Sequence, residues 1–236
     1  MPGLSYAARR FVIVSPVCEW KWRETPASWV NDLVRCLRCA SWIDHDRVYL
    51  TGYSMGGMST WMLAADAPDL YAAIAPTAAH HHPSQTEVIA QRLKDTPILV
   101  AHSKNDRTCP LDAEQRLWER LHAWGNSKLH VHLCIHDHSH VFDRSYRDTH
   151  YVFDWLLNFA LRPPRRFRVL HPPMRFRLRV YSQVSTLLQW RKVVVLDNSV
   201  VSARAVVFFL CAGGRVRRRG LPGCIASGAS RYMRAR

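Results

Sequence analysis

The chain has 236 residues, 33 basic and 18 acidic side chains, a formal net charge of +15 and seven cysteines. That length admits one α/β domain with a buried core and an appendage. The odd cysteine count, at positions 18, 36, 39, 109, 134, 211 and 224, shows no regular framework, which excludes a disulfide scaffold and points to reduced thiols in a cytosol-like, cytoplasmic compartment. Met1 to Arg10 lacks the apolar core of a signal peptide. No run reaches the about 18 uncharged apolar residues of a membrane span. The nearest, Val193 to Ala212, is interrupted by Asp197, Asn198 and Arg204. Residues 1–162 hold 17 basic and 17 acidic groups, which leaves 16 basic groups and the single acid Asp197 for residues 163–236. The basic excess that would attract nucleic acid or an anionic surface therefore belongs to the C-terminal segment alone.

In chain order, Phe11 to Pro16 reads as a buried strand ended by proline. A loop with Trp20, Trp22 and Pro26 follows. Ser28 caps a predicted helix to Ile43, with Trp29, Leu33 and Leu37 on one stripe. Asp44-His45-Asp46 is read as a turn, and Arg47 to Thr51 as a strand. A helix is expected over 58–67, broken by Pro68 and Asp69. Tyr71 to Ala75 is the next strand, and a helix from Ser84 to Leu93 follows the loop His80-His81-His82-Pro83. Thr96 to His102 is a strand, 111–124 a helix with Leu117 and Leu121 inward, Leu129 to Ile135 a strand, and Tyr146 to Leu161 the last helix. Apolar strands alternating with helices predict an α/β fold, a mostly parallel sheet with helices on both faces. In such sheets the working residues sit at the carboxyl ends of strands.

Three loops stand at such ends. The first contains Gly52-Tyr53-Ser54-Met55-Gly56, a Gly-x-Ser-x-Gly between a strand and a helix, the context of a nucleophile elbow. Gly52 and Gly56 are expected where a Cβ would collide with neighbouring backbone. The helix after Ser54 aims its first amides, Met55 N–H among them, at the place where an oxyanion forms. The second loop, Lys104 to Pro110, supplies one carboxylate, Asp106. The third supplies His136, His138 and His140. The order Ser, Asp, His is the one used by α/β-hydrolases. A serine hydroxyl needs a base to take its proton, imidazole is the base suited to neutral pH, and a carboxylate fixes the imidazole tautomer. Counting forward from the strand end at Ile135 favours His140 over His138, and His136 lies too close to the strand. A turn role for Asp106 and a metal role for the histidine clusters are the competing readings. Neither His cluster, nor the lone Cys36-Leu37-Arg38-Cys39 pair, brings a converging ligand set, so no metal and no cofactor is expected.

The run Arg47-Val48-Tyr49-Leu50-Thr51-Gly52-Tyr53-Ser54-Met55-Gly56-Gly57, with Trp61, Pro68-Asp69 and Ala72 to Pro76, resembles the phospholipase/carboxylesterase/thioesterase-like branch of the α/β-hydrolases. That branch includes feruloyl-esterase-like and polyhydroxyalkanoate-depolymerase-like enzymes and predicted prolyl-oligopeptidase-type peptidases. Asp106 with Cys109-Pro110 is similar to the family's Asp-x-x-Val-Pro loop, and Phe142 to Tyr146 with Asp154 to Leu157 to the region from its histidine to its last helix. The resemblance covers about residues 11–160. It implies a serine hydrolase with Ser54 as nucleophile, Asp106 and His140 completing the triad, and a small-molecule ester as substrate. Two features depart from it. The family's histidine usually follows a glycine, whereas His140 follows Ser139. Family members also carry early strands and a His-Gly turn ahead of the Phe11 strand, about 50 residues by strand and loop lengths. The expectation is thus an N-terminally short chain, with Met55 N–H as one oxyanion donor, an exposed sheet edge and reduced activity.

Residues 163–236 fit no part of that pattern. Arg162-Pro163-Pro164-Arg165-Arg166 opens a linker and Arg215 to Arg219 is a basic cluster. The segment is expected to be a poorly ordered basic tail, dispensable for activity. Phe167, Phe176 and Tyr181 among arginines keep open a nucleic-acid role, and Val193–Leu210 could instead pair with the open edge. Three functional readings therefore stand: a serine esterase, a prolyl-oligopeptidase-type peptidase, and a non-catalytic hydrolase relic with a nucleic-acid- or anionic-surface-binding tail.

Overall fold

Alternating apolar side chains are what divide this protein into layers. In β1 (Phe11–Pro16), Val12 and Val14 face one core, Phe11 and Ile13 the other. Both faces of the strand are therefore covered, as its uninterrupted apolar run requires. The computed structural model describes residues 6–7, 9–16, 28–40, 43–134, 140, 150–162, 193–196 and 204–210. The elements after β1 are α1 (Ser28–Leu37), β2 (Ile43–Tyr53), α2 (Met55–Asp66), β3 (Ala73–Thr77), α3 (Thr86–Arg92), β4 (Ile98–Ser103), α4 (Leu111–Ala123), β5 (Leu129–Cys134), α5 (Tyr151–Leu156), β6 (Val193–Leu196) and β7 (Arg204–Leu210). Short 3-10 turns occupy Pro68–Leu70 and Pro83–Gln85.

One seven-stranded sheet runs in the order β5-β4-β3-β2-β7-β1-β6. All neighbours are parallel except β6, which is antiparallel to β1. Helices α1 to α4 pack on one face through Trp29, Leu33, Trp61, Ile89, Leu117 and Leu121. On the other face α5 packs through Val152, Phe153, Trp155 and Leu156 against Phe11, Tyr49 and Leu99. The expected α/β class and two-sided cover are what the protein adopts.

Several boundaries differ from the sequence expectation, the last helix ending at Leu156 rather than Leu161 among them. The helix begun at Ser28 stops at Leu37 rather than Ile43, because Ile43 is buried as the first residue of β2. Asp44-His45-Asp46, read as a turn, is extended strand; the register against β7 shifts between Ile43 and Val48, so an irregularity absorbs these polar residues. The helix after the elbow begins at Met55, directly after Ser54, so the 58–67 segment is its later part and Met55 N–H is among its first amides. The expected start of the last helix at Tyr146, the loop with Trp20 and Trp22, and Arg215 to Arg219 lie outside the described residues.

The C-terminal segment takes, over 193–196 and 204–210, the paired arrangement rather than the separate one. β7 lies between β1 and β2, with Val207 opposite both Ile13 and Tyr49. β6 covers the far side of β1, with Val195 opposite Val14. The apolar runs Val193-Val194-Val195 and Ala205-Val206-Val207, mostly β-branched, are the kind of sequence that strands of a parallel sheet favour. The edge of β2 is thereby occupied, in line with the reading that paired Val193–Leu210 with an open edge of the sheet.

Candidate active site

The elbow is built by close backbone approach. Ser54 sits between β2 and α2 with φ of 55° and ψ of −119°, a left-sided conformation that costs a non-glycine residue about 1–3 kcal/mol. Ser54 N–H donates to Thr77 O at 3.0 Å and Met58 N–H to Ser54 O at 2.9 Å. These bonds clamp the turn between β3 and α2 and turn the serine side chain to the carboxyl edge of the sheet. Glycine is required at Gly57, where a Cβ would stand 2.7 Å from Ala79 Cβ, 2.7 Å from Thr77 O and 3.1 Å from Gly52 O. The sequence reading placed this need at Gly52 and Gly56. Two of the three obstructing atoms are backbone, so Gly57→Ala is expected to cost about 1–3 kcal/mol through overpacking. Urea unfolding measures this, and an unchanged midpoint would mean that the turn yields freely.

Asp106, after β4, and His140, beyond β5, meet Ser54 at the same edge of the sheet. His140 Nε2 is 3.0 Å from Ser54 Oγ, and His140 Nδ1 is 2.7 Å from Asp106 Oδ2. A carboxylate accepts, so Nδ1 carries the hydrogen and Nε2 offers its lone pair to the serine hydroxyl. The other carboxylate oxygen, Oδ1, accepts the N–H groups of Thr108 and Cys109, each at 2.8 Å. Asp106 thus combines the turn role weighed against it with the role facing His140: one oxygen for each. Tyr53 tilts against the His140 ring with centroids 4.7 Å apart, and its hydroxyl donates to His140 O at 3.3 Å. The Asp106 side chain is sealed from solvent while that of His140 keeps 19% exposure. The line is thus part-exposed at Ser54 and buried at Asp106.

Met55 opens α2, and the first amides of a helix have no acceptor within it. Nearby, burial pushes the Cys109 thiol up to about 12, with Asp106 and Glu114 adding to the shift and a hydrogen bond with Ser54 opposing it. The thiol is therefore not ionised at neutral pH. β7 ends at Leu210, opposite Gly52, so its carboxyl end stands at the same edge as the elbow.

Other residues singled out in the sequence fall elsewhere. His81 bonds Thr86 Oγ1 at 2.6 Å and His82 bonds Ser84 Oγ at 2.7 Å, both serving the turn into α3. Burial lowers His81 to about 4, so the ring is neutral at pH 7. Cys36 and Cys39 are free and exposed. His136 and His138 lie outside the described residues. Among the described residues no three of His, Cys, Asp and Glu form a group that could hold a metal ion, and no helix is long and apolar enough to cross a membrane.

Two buried groups beside Asp106 escaped the sequence reading, His102 and Glu114. A glutamate in a helix reads as solvated by default. The available signal was its place: Glu114 stands three and seven residues before Leu117 and Leu121, on the same inward stripe.

Residues 11–154 match the Dienelactone hydrolase family. A protein of Escherichia coli strain K12 named "Putative carboxymethylenebutenolidase" is 30% identical over 124 residues, 48% of this chain and 45% of that protein. One of Salmonella typhi with the same name is 30% identical over 119 residues, 46% of this chain and 43% of its own length. The chain thus spans about half the length of the curated relatives it matches. Among solved structures, a thermostable esterase superposes with a TM-score of 0.51 at 28% identity, covering 58% of this chain and 37% of the esterase.

Proposed function

The chain belongs to the dienelactone hydrolase family, and we propose that it works as a serine hydrolase of small carboxylic esters. The observation that carries this reading is the hydrogen-bonded line Ser54–His140–Asp106 at the carboxyl edge of the sheet, part-exposed at its Ser54 end. Ser54 Oγ attacks the acyl carbon as its proton passes to His140 Nε2. Asp106, held by two backbone amides, stabilises the imidazolium and its Nδ1–H tautomer. The oxyanion of the tetrahedral intermediate takes the Met55 N–H at the start of α2. Collapse expels the alcohol, which receives the proton from His140. Water then attacks the acyl-enzyme by the same route, giving the acid and restoring Ser54.

An ester suits this site better than a peptide on chemical grounds. An alkoxide leaves without the full protonation that an amine demands, so a single identified oxyanion donor suffices more readily. The lactone ring in the names of the relatives is itself a cyclic ester, and belongs to the substrate class to be tried first. The experiment is incubation with a fluorophosphonate, with mass spectrometry of the labelled peptide, beside hydrolysis of p-nitrophenyl acetate, an enol lactone and a peptide anilide. Labelling on Ser54 with turnover of the esters is expected. Labelling elsewhere, or turnover of the anilide alone, would overturn the reading.

A further inference from the structure

Behind Asp106 lies a second imidazole–carboxylate pair with no part in the steps above. His102 near the end of β4 and Glu114 in α4 are sealed from solvent. A lone carboxylate there would carry a large desolvation cost, so its partners decide what it does. Glu114 Oε1 accepts the indole N–H of Trp61 at 3.0 Å, and Oε2 is hydrogen-bonded to His102 Nδ1. On the far side of the ring, His102 Nε2 is 2.8 Å from Cys109 O and 3.6 Å from Asp106 Oδ2. A carbonyl only accepts, so Nε2 carries a hydrogen. One further proton remains for Nδ1 and Glu114 together, and the pair is neutral whichever of them holds it. Burial lifts the Glu114 carboxyl, with His102 opposing. Burial alone would lower His102, but the hydrogen bond and charge of Glu114 turn the net shift upward. Both directions agree with a pair that keeps its proton.

Cys109 connects this pair to the site. Its carbonyl is held by His102 Nε2–H, and its N–H is given to Asp106 Oδ1. Fixing the His102 ring therefore fixes the Cys109 peptide, which fixes Asp106 with Oδ2 toward His140. From this chain of contacts we infer that Glu114 is a positioning residue, acting through His102 and the Cys109 peptide to hold Asp106 against His140; the inference rests on the hydrolase reading above. The ionisable groups facing the pair are Asp106 and the Cys109 thiol from the loop, with His140 beyond Asp106. Trp61 from α2 contributes only a donor.

The test is steady-state kinetics of ester hydrolysis for Glu114 variants of the full chain. Glu114→Leu is expected to lower kcat about ten- to a hundredfold with KM nearly unchanged, as a displaced catalytic partner does. Glu114→Gln should return kcat to near wild type, since its amide can accept from Trp61 and donate to His102 Nδ1. Where Glu114→Leu fails to fold, Glu114→Asp serves instead: it keeps the acid but shortens its reach, and should give the same fall in kcat with KM nearly unchanged. A folded Leu or Asp variant with wild-type kcat, whatever its thermal midpoint, would overturn the inference. Ser54 labelling of the unaltered protein separates the two failures. No labelling there defeats the hydrolase reading, while normal labelling with indifferent Glu114 variants defeats only the positioning role.

Discussion

A chain ending at residue 162 is expected to lose cooperative unfolding altogether. β7 lies between β1 and β2, and β6 covers the other side of β1. Removing both leaves β1 with no strand partner and opens the edge of β2, the strand that leads into Ser54. An open, apolar, hydrogen-bond-hungry edge is a template for aggregation. Buried residues of β1, among them Phe11 and Val14, would lose their enclosure at about 1.5–3 kcal/mol per large side chain, against a total stability of about 5–15 kcal/mol. Circular dichroism melting and size-exclusion chromatography of the 1–162 chain measure this. A soluble monomer with the thermal midpoint of the full chain would show that β6 and β7 are not part of the folded unit and would return the segment to the dispensable role expected from its composition.

The second large effect is chemical. Ser54→Ala is expected to abolish fluorophosphonate labelling and to reduce kcat/KM for an ester by about 10⁴-fold or more. His140→Ala should fall as far, because hydroxyl and base act as one unit and their losses do not add. Stability should barely change. The Ser54 side chain is half-exposed and bonds His140 and the Cys109 thiol, so folded protein remains to be assayed. Turnover that survives both substitutions would place the chemistry elsewhere in the molecule.

The sequence made the Ser54 elbow, Asp106 and His140 legible because each is a local signal: a Gly-x-Ser-x-Gly between strand and helix, and two polar loops at strand ends. Chain order then joined them, and counting from Ile135 chose His140. The seat of β7 was not legible in the same way. Alternation and β-branching tell that Arg204–Leu210 suits a covered strand, but not which neighbours it takes, since pairing across so long a separation leaves no local mark. Composition also misled, because the arginines around it dominate the segment. Asp44 to Asp46 show the reverse error: a turn-like tripeptide is extended because Ile43 before it and Val48 after it are both buried in the sheet. Glu114 was hidden by its chemical type, although its helical phase pointed inward.

The place of β7 also sets a timetable. β1 and β2 are neighbours in sequence but are joined in the sheet only through a strand made nearly two hundred residues after β1. As the chain is made, β2 to β5 can pair as they emerge, while β1 waits without a neighbour until the strands at 193–196 and 204–210 follow. Such long-range pairing slows folding, and the exposed intermediate is prone to aggregate. The sheet is thus completed late, from the middle outward, and its waiting edges are the ones at risk of aggregation.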